Sequence, residues 1–467
     1  MISSCYSGVY DGFVKDKRLR KRIESTLYNL ITQGSCIINK SVPSHTDKIG
    51  TYRMLSNERF DFEDLLNATH NKCAQSIDVK HVLAIQDTTE FNYQGIKEKL
   101  GKEDKDIGPT SIDSIAGYFC HPMLVVNPNN NNIYGLASTL IYNRDWNKLK
   151  KHERKYPQQP IEEKESYRWL RSAELSKQII PNHVQLTIVG DRESDIYDEF
   201  YRVPDERTNL LVRSRCDRYL VNSNSKLYEY LSNQPVAGTY EIELSSNTKR
   251  SKRVTQIEIR FCCVEIEAPK KHKHKHQSVK LTAIEAREIG QNNSDKLADE
   301  PVLWRLLTTH QVDNYDQVVE CINWYKKRWL IEELFRVLKT KGFCIESSQL
   351  SSGSKLKKLL ALTLEAALHV MRLKLSLTQE EQEAESFFTD EEQDFLEVLQ
   401  STVEGATQKQ KNPYPNRSLA WAAWTIARVA GWSGYKSHGP PGYITIKEGY
   451  DRFNAQLQIY LLMKKPR

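Results

Sequence analysis

Two short apolar segments that each end on an aspartate place the strongest constraint on the fold of this chain. HVLAIQD covers residues 81–87 and VQLTIVGD covers residues 184–191, so Asp87 and Asp191 close the two segments. Apolar runs of this length are typical of strands that are buried on both faces, as in a parallel sheet. The last side chain of such a strand lies at the edge of the sheet, within reach of solvent. We therefore expect a mixed α/β domain with two acids at one edge.

The rest of the sequence divides into helical and strand-rich parts. Residues 18–33 carry apolar side chains at helical spacing, and two short helix candidates follow, which predicts a helical domain at 1–70. Two strands are predicted around the turn sequence NPNNNN, and alternating segments in 205–312 predict a β-rich insertion. One long helix is predicted from Tyr315 to Gly342, since a glycine suits a helix C-cap. The predicted domains are 1–70, 71–372 and 373–467.

Length and composition narrow the class of protein. The chain has 467 residues, more than the roughly 250–300 at which a single hydrophobic core stops growing. No apolar run approaches the roughly 20 residues of a spanning helix, and the first residues lack the pattern of a secretory signal, so we expect a cytoplasmic protein. Nine cysteines without a CxxC pair indicate neither a disulfide framework nor a zinc ribbon.

Positive charge is gathered in patches, although the net charge is only +7. The patches lie at 15–22, 248–253, 270–276 and 355–358. Each alone is typical of a solvated surface, but several in one chain favour a polyanionic partner such as nucleic acid. The histidines of the third patch, His272, His274 and His276, alternate with lysines, so DNA contact or simple solvation is favoured over a metal site. The acidic segment 379–397 is expected to be an exposed connection between domains.

The predicted long helix offers a third acid. On a 3.6-residue period, the side chains of Tyr325, Arg328, Glu332, Arg336 and Lys339 fall within an arc of roughly 80°, and the apolar residues lie opposite. Without the two aspartates, an ordinary solvated face with an Arg328–Glu332 pair would be the preferred explanation of this pattern. Several converging carboxylates, however, bind a hard cation such as magnesium far better than one carboxylate does.

Three motifs carry a resemblance to a known family. YKKRWLIEELFRVLK (325–339) resembles the Y-x2-R-x3-E-x6-K signature of the insertion-sequence-four family of DDE transposases. IQDTTEFNY around Asp87 and GDRESDIYD around Asp191 resemble the two aspartate motifs of that family. TYRMLSN (51–57) resembles part of its amino-terminal DNA-binding domain, while SLAWAAWTIARVAGW and EGYDRF resemble its carboxy-terminal helical dimerisation region. The resemblance covers nearly the whole chain.

The resemblance implies a fold and a reaction. The fold is an RNase H-like core, a mixed sheet flanked by helices, with a β-strand insertion and helical terminal domains. Asp87, Asp191 and Glu332 would be the catalytic residues and the ligands of two Mg²⁺ or Mn²⁺ ions. The reaction would be cut-and-paste transposition, with nicking, hairpin formation and opening, and strand transfer. A homodimer would hold two double-stranded transposon ends in the bacterial cytoplasm, associated with the nucleoid.

The resemblance also implies DNA contacts. Trp304 and Trp329 match two tryptophans that stack on bases near the cleavage point, one of them holding a flipped base, although core packing is the commoner role of tryptophan. The implied contacts to phosphates and to the DNA ends are Tyr325, Arg328, Arg336, Lys339, Arg213, Arg215, Arg18, Arg22 and Arg53.

Two alternative functions remain open at this point. Only some fourteen residues precede Lys15, a shorter leader than related transposases carry, which is compatible with a DNA-binding or dimerising regulator that inhibits transposition. A general RNase H-like nuclease or junction resolvase shares the acidic triad, but it does not account for Tyr325, Arg328 and Lys339.

Overall fold

A computed structural model describes residues 6–42, 44–100, 104–147, 159–244, 253–269, 278–289, 301–339, 342–379 and 382–464. The chain forms two compact units. The helix-rich unit comprises Met1–Asp78, Thr88–Lys148 and Leu330–Arg467, and the strand-rich unit comprises Val79–Asp87 and Leu149–Trp329. These units are defined by packing and do not test the three functional ranges predicted from the sequence, which stay predictions.

Helices and strands alternate through the described residues. The helices are α1 Lys17–Gln33, α2 Ile38–Ser41, α3 His45–Leu55, α4 Phe62–Ser76, α5 Lys97–Leu100, α6 Tyr167–Ile179, α7 Tyr197–Arg202, α8 Leu227–Ser232, α9 Tyr315–Lys326, α10 Trp329–Leu338, α11 Gly353–Leu375, α12 Asp390–Val403, α13 Leu419–Val429 and α14 Tyr443–Lys464. The strands are β1 His81–Gln86, β2 Thr89–Asn92, β3 Gly108–Pro109, β4 Ala116–Val126, β5 Ile133–Tyr142, β6 Gln185–Gly190, β7 Thr208–Arg213, β8 Gly238–Leu244, β9 Arg253–Ile266, β10 Val279–Ile289 and β11 Leu303–Thr308. The prediction of a mixed α/β protein is confirmed.

The strand-rich unit is built on a parallel core that continues into an antiparallel sheet. β1 pairs in parallel with β6, and β6 pairs in parallel with β7. Beyond β7 the strands run antiparallel in the order β11, β10, β9 and β8. The side chains of Val82 to Ile85 and of Ile188 and Val189 are inaccessible to solvent, as expected for parallel strands covered on both faces.

The helix-rich unit combines antiparallel strands with helices. β4 pairs with β2, β3 and β5, and all eleven of its residues are buried. α1 begins after Asp16, whose carboxylate caps the helix, and it ends at Gly34 in the left-handed conformation that glycine adopts without strain. The predicted core residues Ile23, Leu27 and Leu30 of α1 are fully buried.

The predicted long helix is interrupted. α9 ends at Lys326 and α10 begins at Trp329, because Lys327 and Arg328 form a turn whose N–H groups bond to carbonyls three residues back. The prediction of one continuous helix was therefore wrong. The predicted apolar side of the second half, Leu330, Ile331, Leu334, Val337 and Leu338, is buried as expected.

The predicted C-cap at Gly342 was also wrong. α10 ends at Leu338, four residues earlier. The backbone at Gly342 instead lies close to the end of α10. A Cβ atom on Gly342 would lie 1.6 Å from the carbonyl oxygen of Val337, so this position excludes any residue with a side chain.

The described residues of the acidic segment, 379 and 382–397, do not form an exposed connection. Its second half forms the start of α12, where Thr389 and Glu392 make a capping box and Phe395 and Leu396 are buried. Its acids favour the helix N-terminus, because carboxylates stabilise the partial positive charge there. The basic stretches 248–252 and 270–276, with His272, His274 and His276, lie outside the described residues. Within the described part of the chain, no helix has both the length and the apolar character needed to cross a bilayer.

Candidate active site

Asp87 and Asp191 directly follow the parallel strands β1 and β6, and Arg213 is the last residue of the neighbouring strand β7. Ile85 pairs with Val189 in the β1–β6 register, and continuing it by two residues brings Asp87 beside Asp191. Gly190 pairs with Val212 in the β6–β7 register, and one further residue brings Asp191 beside Arg213. Neighbouring strands lie about 4.7–4.9 Å apart. The predicted meeting of two aspartates at one sheet edge therefore agrees with the register, and an arginine joins them.

Arg328 touches the first of these acids. Its Nη1 atom lies 3.5 Å from Oδ2 of Asp87, and both side chains are largely buried, at 13% and 20% exposure. The guanidinium carbon also lies 5.9 Å from the ring centre of Tyr325 and 5.6 Å from that of Trp329, within the range of cation–π attraction. The turn that interrupts the predicted helix is thus the part of the chain that brings Arg328 to Asp87.

Tyr325 is buried between cations. Burial raises the pKa of its hydroxyl, and the positive charges of Arg328 and Arg213 oppose that rise. Burial lowers the pKa of the Arg213 guanidinium, and the nearby charges of Arg192 and Arg328 lower it further. Tyr325 acts in the opposite direction and raises that pKa. Trp304 packs against Tyr325 edge-on, with 6.2 Å between ring centres. The strand-rich unit therefore holds one tyrosine among several arginines, a combination suited to phosphate oxygens.

The loop after β7 is tied to the turn after β6. Asp191 accepts a hydrogen bond from the Glu193 N–H at 2.7 Å, which shapes that turn. Oδ2 of Asp195 accepts hydrogen bonds from the N–H groups of Arg215 and Cys216 at 2.6 and 2.8 Å. Asp195 also forms an ion pair with Arg218. The exposed side chain of Arg215 is consequently carried on a backbone that is fixed to Asp195, four residues after Asp191.

Trp329 is unusually exposed for a tryptophan. It is the first residue of α10, and 53% of its surface reaches solvent. Core packing, the ordinary role of tryptophan, therefore does not describe Trp329. An exposed indole beside a guanidinium is a suitable surface for stacking a base.

The other predicted residues of α10 lie in the helix-rich unit. Glu332 is partly exposed on the side opposite the buried leucines. Arg336 donates two hydrogen bonds to Glu333, at 2.9 and 3.1 Å, and Nζ of Lys339 lies 5.5 Å from the ring centre of Phe91. The place of Glu332 in a three-acid site stays a prediction.

The amino-terminal cations differ in their surroundings. Arg22 forms an ion pair with Asp47 at 2.6 Å, which links α1 to α3. Arg18 and Arg53 are exposed. The side chain of Arg22 therefore stabilises the packing of α1 against α3. Arg18 and Arg53, in contrast, are accessible to a polyanion.

The two strand-end aspartates fit a hard divalent cation by the chemistry of their oxygen atoms. Among the described residues, no group of three or more His, Cys, Asp or Glu side chains is arranged to hold a metal ion. The described arrangement therefore provides a pair of carboxylates in one unit, with Glu332 in the other unit.

Sequence reasoning missed a buried acid beside the site. Glu199 is inaccessible to solvent, and it contacts Gln86 and Ser194, which adjoin the two strand ends. Burial, with smaller contributions from Asp195 and Asp191, raises the pKa of Glu199 to about 8. The only signal in the sequence was an acid-rich stretch after Asp191, which does not single out one residue.

No model of a known protein family matches the chain.

Proposed function

We propose that this chain is a DNA transposase that moves an insertion sequence by cut-and-paste transposition. One observation carries the proposal: Asp87, Asp191 and Arg213 share one edge of a parallel sheet, and Arg328 joins them through Asp87. Aspartates next to arginines at the ends of adjacent strands suit the cleavage of a phosphodiester, because the arginines bind the phosphate and the aspartates serve the reaction.

The proposed fold is an RNase H-like core. The parallel strands β1, β6 and β7 form its centre, and β8 to β11 form the β-strand insertion. This assignment is supported by the position of the two aspartates at the ends of β1 and β6. The helical ends of the chain supply DNA binding and dimerisation in the proposed arrangement.

Asp87, Asp191 and Glu332 are the proposed ligands of two divalent cations. Bound Mg²⁺ or Mn²⁺ supplies activation of the attacking oxygen and stabilisation of the leaving oxygen at phosphorus. Glu332 is included because of the motif at 325–339. The two aspartates are included because of both their motifs and their shared sheet edge.

The cations and aromatic residues hold the DNA. Arg328, Arg213 and Tyr325 bind phosphate oxygens next to the cleaved bond, because guanidinium groups donate planar paired hydrogen bonds to such oxygens. A phosphate that enters the site takes the place of Asp87 beside Arg328 and leaves that carboxylate available to a cation. Trp329 receives a base that leaves the duplex when a hairpin forms.

The test compares three proteins on one DNA. Wild type, Asp191→Ala and the control Asp313→Ala are incubated with DNA that carries the inverted repeats flanking the gene, with and without Mg²⁺. Asp313 is an exposed aspartate in a loop of the same unit. We expect wild type and Asp313→Ala to produce Mg²⁺-dependent nicks and hairpins at the repeat ends, and Asp191→Ala to bind the DNA without cutting it.

Two results contradict the proposal. DNA binding by wild type without any divalent-dependent cleavage indicates a regulator that occupies the ends. Cleavage of unrelated branched DNA at the same rate as the repeat ends indicates a general nuclease.

A further inference from the structure

Glu199 connects the two turns that carry the strand-end aspartates. It lies in the first turn of α7, eight residues after Asp191. Its Oε1 atom accepts a hydrogen bond from Nε2 of Gln86 at 2.9 Å, and its Oε2 atom accepts one from Oγ of Ser194 at 2.8 Å. Gln86 immediately precedes Asp87, and Ser194 closes the short 3-10 turn that Asp191 caps. One carboxylate therefore spans both sides of the site.

The partners of Glu199 have little freedom to move. Gln86, Ser194 and Glu199 are all inaccessible to solvent. A Cβ atom added to Gly190 would lie 2.4 Å from the side chain of Ser194, so strand β6 and the turn after it are in close contact. A buried side chain with two fixed partners holds those partners at a defined separation.

The environment of Glu199 is costly for a negative charge. Burial is the main cause that raises its pKa to about 8, and Asp195 and Asp191 add to it. The two hydrogen bonds to Gln86 and Ser194 therefore describe what Glu199 does in the folded chain better than a charge does.

We propose that Glu199 is a positioning residue that sets the separation of Asp87 and Asp191 and so prepares them to bind one divalent cation. This inference rests on the proposed function for the identity of the two ligands. Glu199 itself touches neither the cation nor the DNA. It acts through Gln86 on the end of β1 and through Ser194 on the turn that follows β6.

The conservative variant separates positioning from charge. In Glu199→Gln the amide oxygen accepts from Gln86 and the amide nitrogen donates to Ser194, whose hydroxyl also serves as an acceptor. The bridge is preserved, while the ionisable carboxyl group is replaced by a neutral amide. Glu199→Ala removes the bridge altogether, and Ser194→Ala removes only one of its two contacts.

The experiment measures Mn²⁺ binding to the full-length protein by electron paramagnetic resonance of the free ion. We expect Glu199→Ala to weaken Mn²⁺ binding roughly tenfold, as loss of a residue that orients metal ligands typically does. Glu199→Gln should bind Mn²⁺ as wild type does, and Ser194→Ala should weaken binding by less than Glu199→Ala. Thermal unfolding of each variant reports whether it is folded. If Glu199→Ala does not fold, the comparison of Ser194→Ala with wild type serves as the test.

A matched control is Glu288→Ala. Glu288 is another buried acid of the same unit, paired with Arg253 on the antiparallel part of the sheet. Its loss should lower the unfolding temperature without changing the affinity for Mn²⁺.

Three results overturn the inference: wild type that binds no Mn²⁺, Glu199→Ala that binds as wild type does, or Glu199→Gln that binds as weakly as Glu199→Ala. The last would mean that Mn²⁺ binding needs the carboxyl group of Glu199 itself rather than the bridge that it forms. The expected order of affinities in a protein that fails to cut transposon ends would support the positioning role and contradict the proposed function, so the two failures are distinguishable.

Discussion

Arg328 connects an acid, a tyrosine and a tryptophan of the strand-rich unit. Arg328→Lys keeps the positive charge but loses the planar array of donors, so we expect cleavage of transposon ends to fall. A hydrogen bond to a charged group contributes about 1.5–3 kcal/mol, which corresponds to a loss of roughly 10- to 100-fold in rate. Single-turnover cleavage at saturating DNA measures the effect.

The control for that prediction is Arg171→Lys. Arg171 is an exposed arginine on α6 in the same unit, and its exchange should leave the cleavage rate unchanged. Equal rates for Arg328→Lys and wild type would show that point charge alone is sufficient at position 328.

His310 gives the protein a specific dependence on pH. Its Nε2 atom lies 2.8 Å from Oγ1 of Thr187, its ring packs on Trp324, and burial, with a smaller contribution from His81, lowers its pKa to about 4. Because the folded protein binds this proton less readily than the unfolded chain, stability is complete above about pH 6.5 and is lost as the pH falls through 4. His310→Gln should make the free energy of unfolding fall less steeply over that range, by on the order of 1–3 kcal/mol.

Urea denaturation between pH 7 and pH 4 measures that difference. His183 lies in an exposed turn of the same unit, so His183→Gln should leave the pH dependence unchanged. If the free energy of unfolding of His310→Gln falls as steeply with pH as that of wild type, His310 is protonated equally easily in the folded and the unfolded state.

The residues of the site were predictable to different degrees. Asp87 and Asp191 were predictable because an apolar run that ends on an acid already defines a strand and its edge. Glu199 was not, because its role depends on contacts to Gln86, 113 positions away, and to Ser194. Sequence patterns report local periodicity, whereas such a bridge exists only after the strands have paired.

At the scale of elements, the predicted strands are confirmed because period and turn residues define strands locally. They correspond to residues 81–86, 185–190, 238–244, 253–266, 279–289 and 303–308. The break between α9 and α10 escaped prediction, since Lys327 and Arg328 are good helix formers and the apolar spacing continues across them. The acidic segment was misjudged because a run of acids marks a solvated loop and the first turn of a helix equally well.

α4, α11 and β5 are joined by a buried cluster of charges. Glu365 on α11 accepts hydrogen bonds from Lys72 of α4 at 2.9 Å and from Arg372 at 3.2 Å. Arg372 also donates to the carbonyls of Ile133 and Tyr134 at the start of β5. Removing the charge of the buried Glu365 would leave two partly buried cations without their acid, so Glu365→Gln should destabilise the protein by about 3–5 kcal/mol.

The same cluster predicts that the free energy of unfolding falls at acidic pH, which we call the acid limb of stability. Burial raises the pKa of Glu365, but Lys72 and Arg372 outweigh burial and bring it to about 2. The stabilisation is therefore complete above the ordinary pKa of a glutamate and is lost as the pH falls towards 2. Denaturation of Glu365→Gln should lack this limb, while exchange of the exposed Glu385 for Gln should change stability by less than about 0.5 kcal/mol. An unchanged acid limb in Glu365→Gln would assign it to other carboxyls.

At the scale of the whole molecule, the proposed function requires surfaces that meet DNA and a second copy of the chain. The net charge of +7 and the exposed Arg18 and Arg53 favour a polyanionic partner. Fold class followed from the sequence because it depends on the order of helices and strands. The division into two compact units did not, because each unit collects segments that are far apart in the chain.

The end of α14 offers an apolar surface for the second copy that the proposed function requires. Ile459, Leu462 and Met463 share one side of the helix by their spacing and are 61%, 67% and 81% exposed. Contiguous exposed apolar side chains mark association surfaces. Leu462→Asp with Met463→Asp should therefore reduce dimerisation at least tenfold, since two charges would have to be buried without partners. Light scattering after size exclusion, with and without transposon-end DNA, measures the dimer.

The control for the dimer is Lys409→Asp, an exposed residue of the same unit outside α14, which should leave the dimer intact. Both aspartate variants should unfold at the wild-type temperature, because the exchanged side chains are exposed in the single chain. If the double variant still pairs two DNA ends as wild type does, the second copy must bind through a different surface. If it binds one end but neither pairs ends nor cuts them, dimerisation through α14 is required for cleavage.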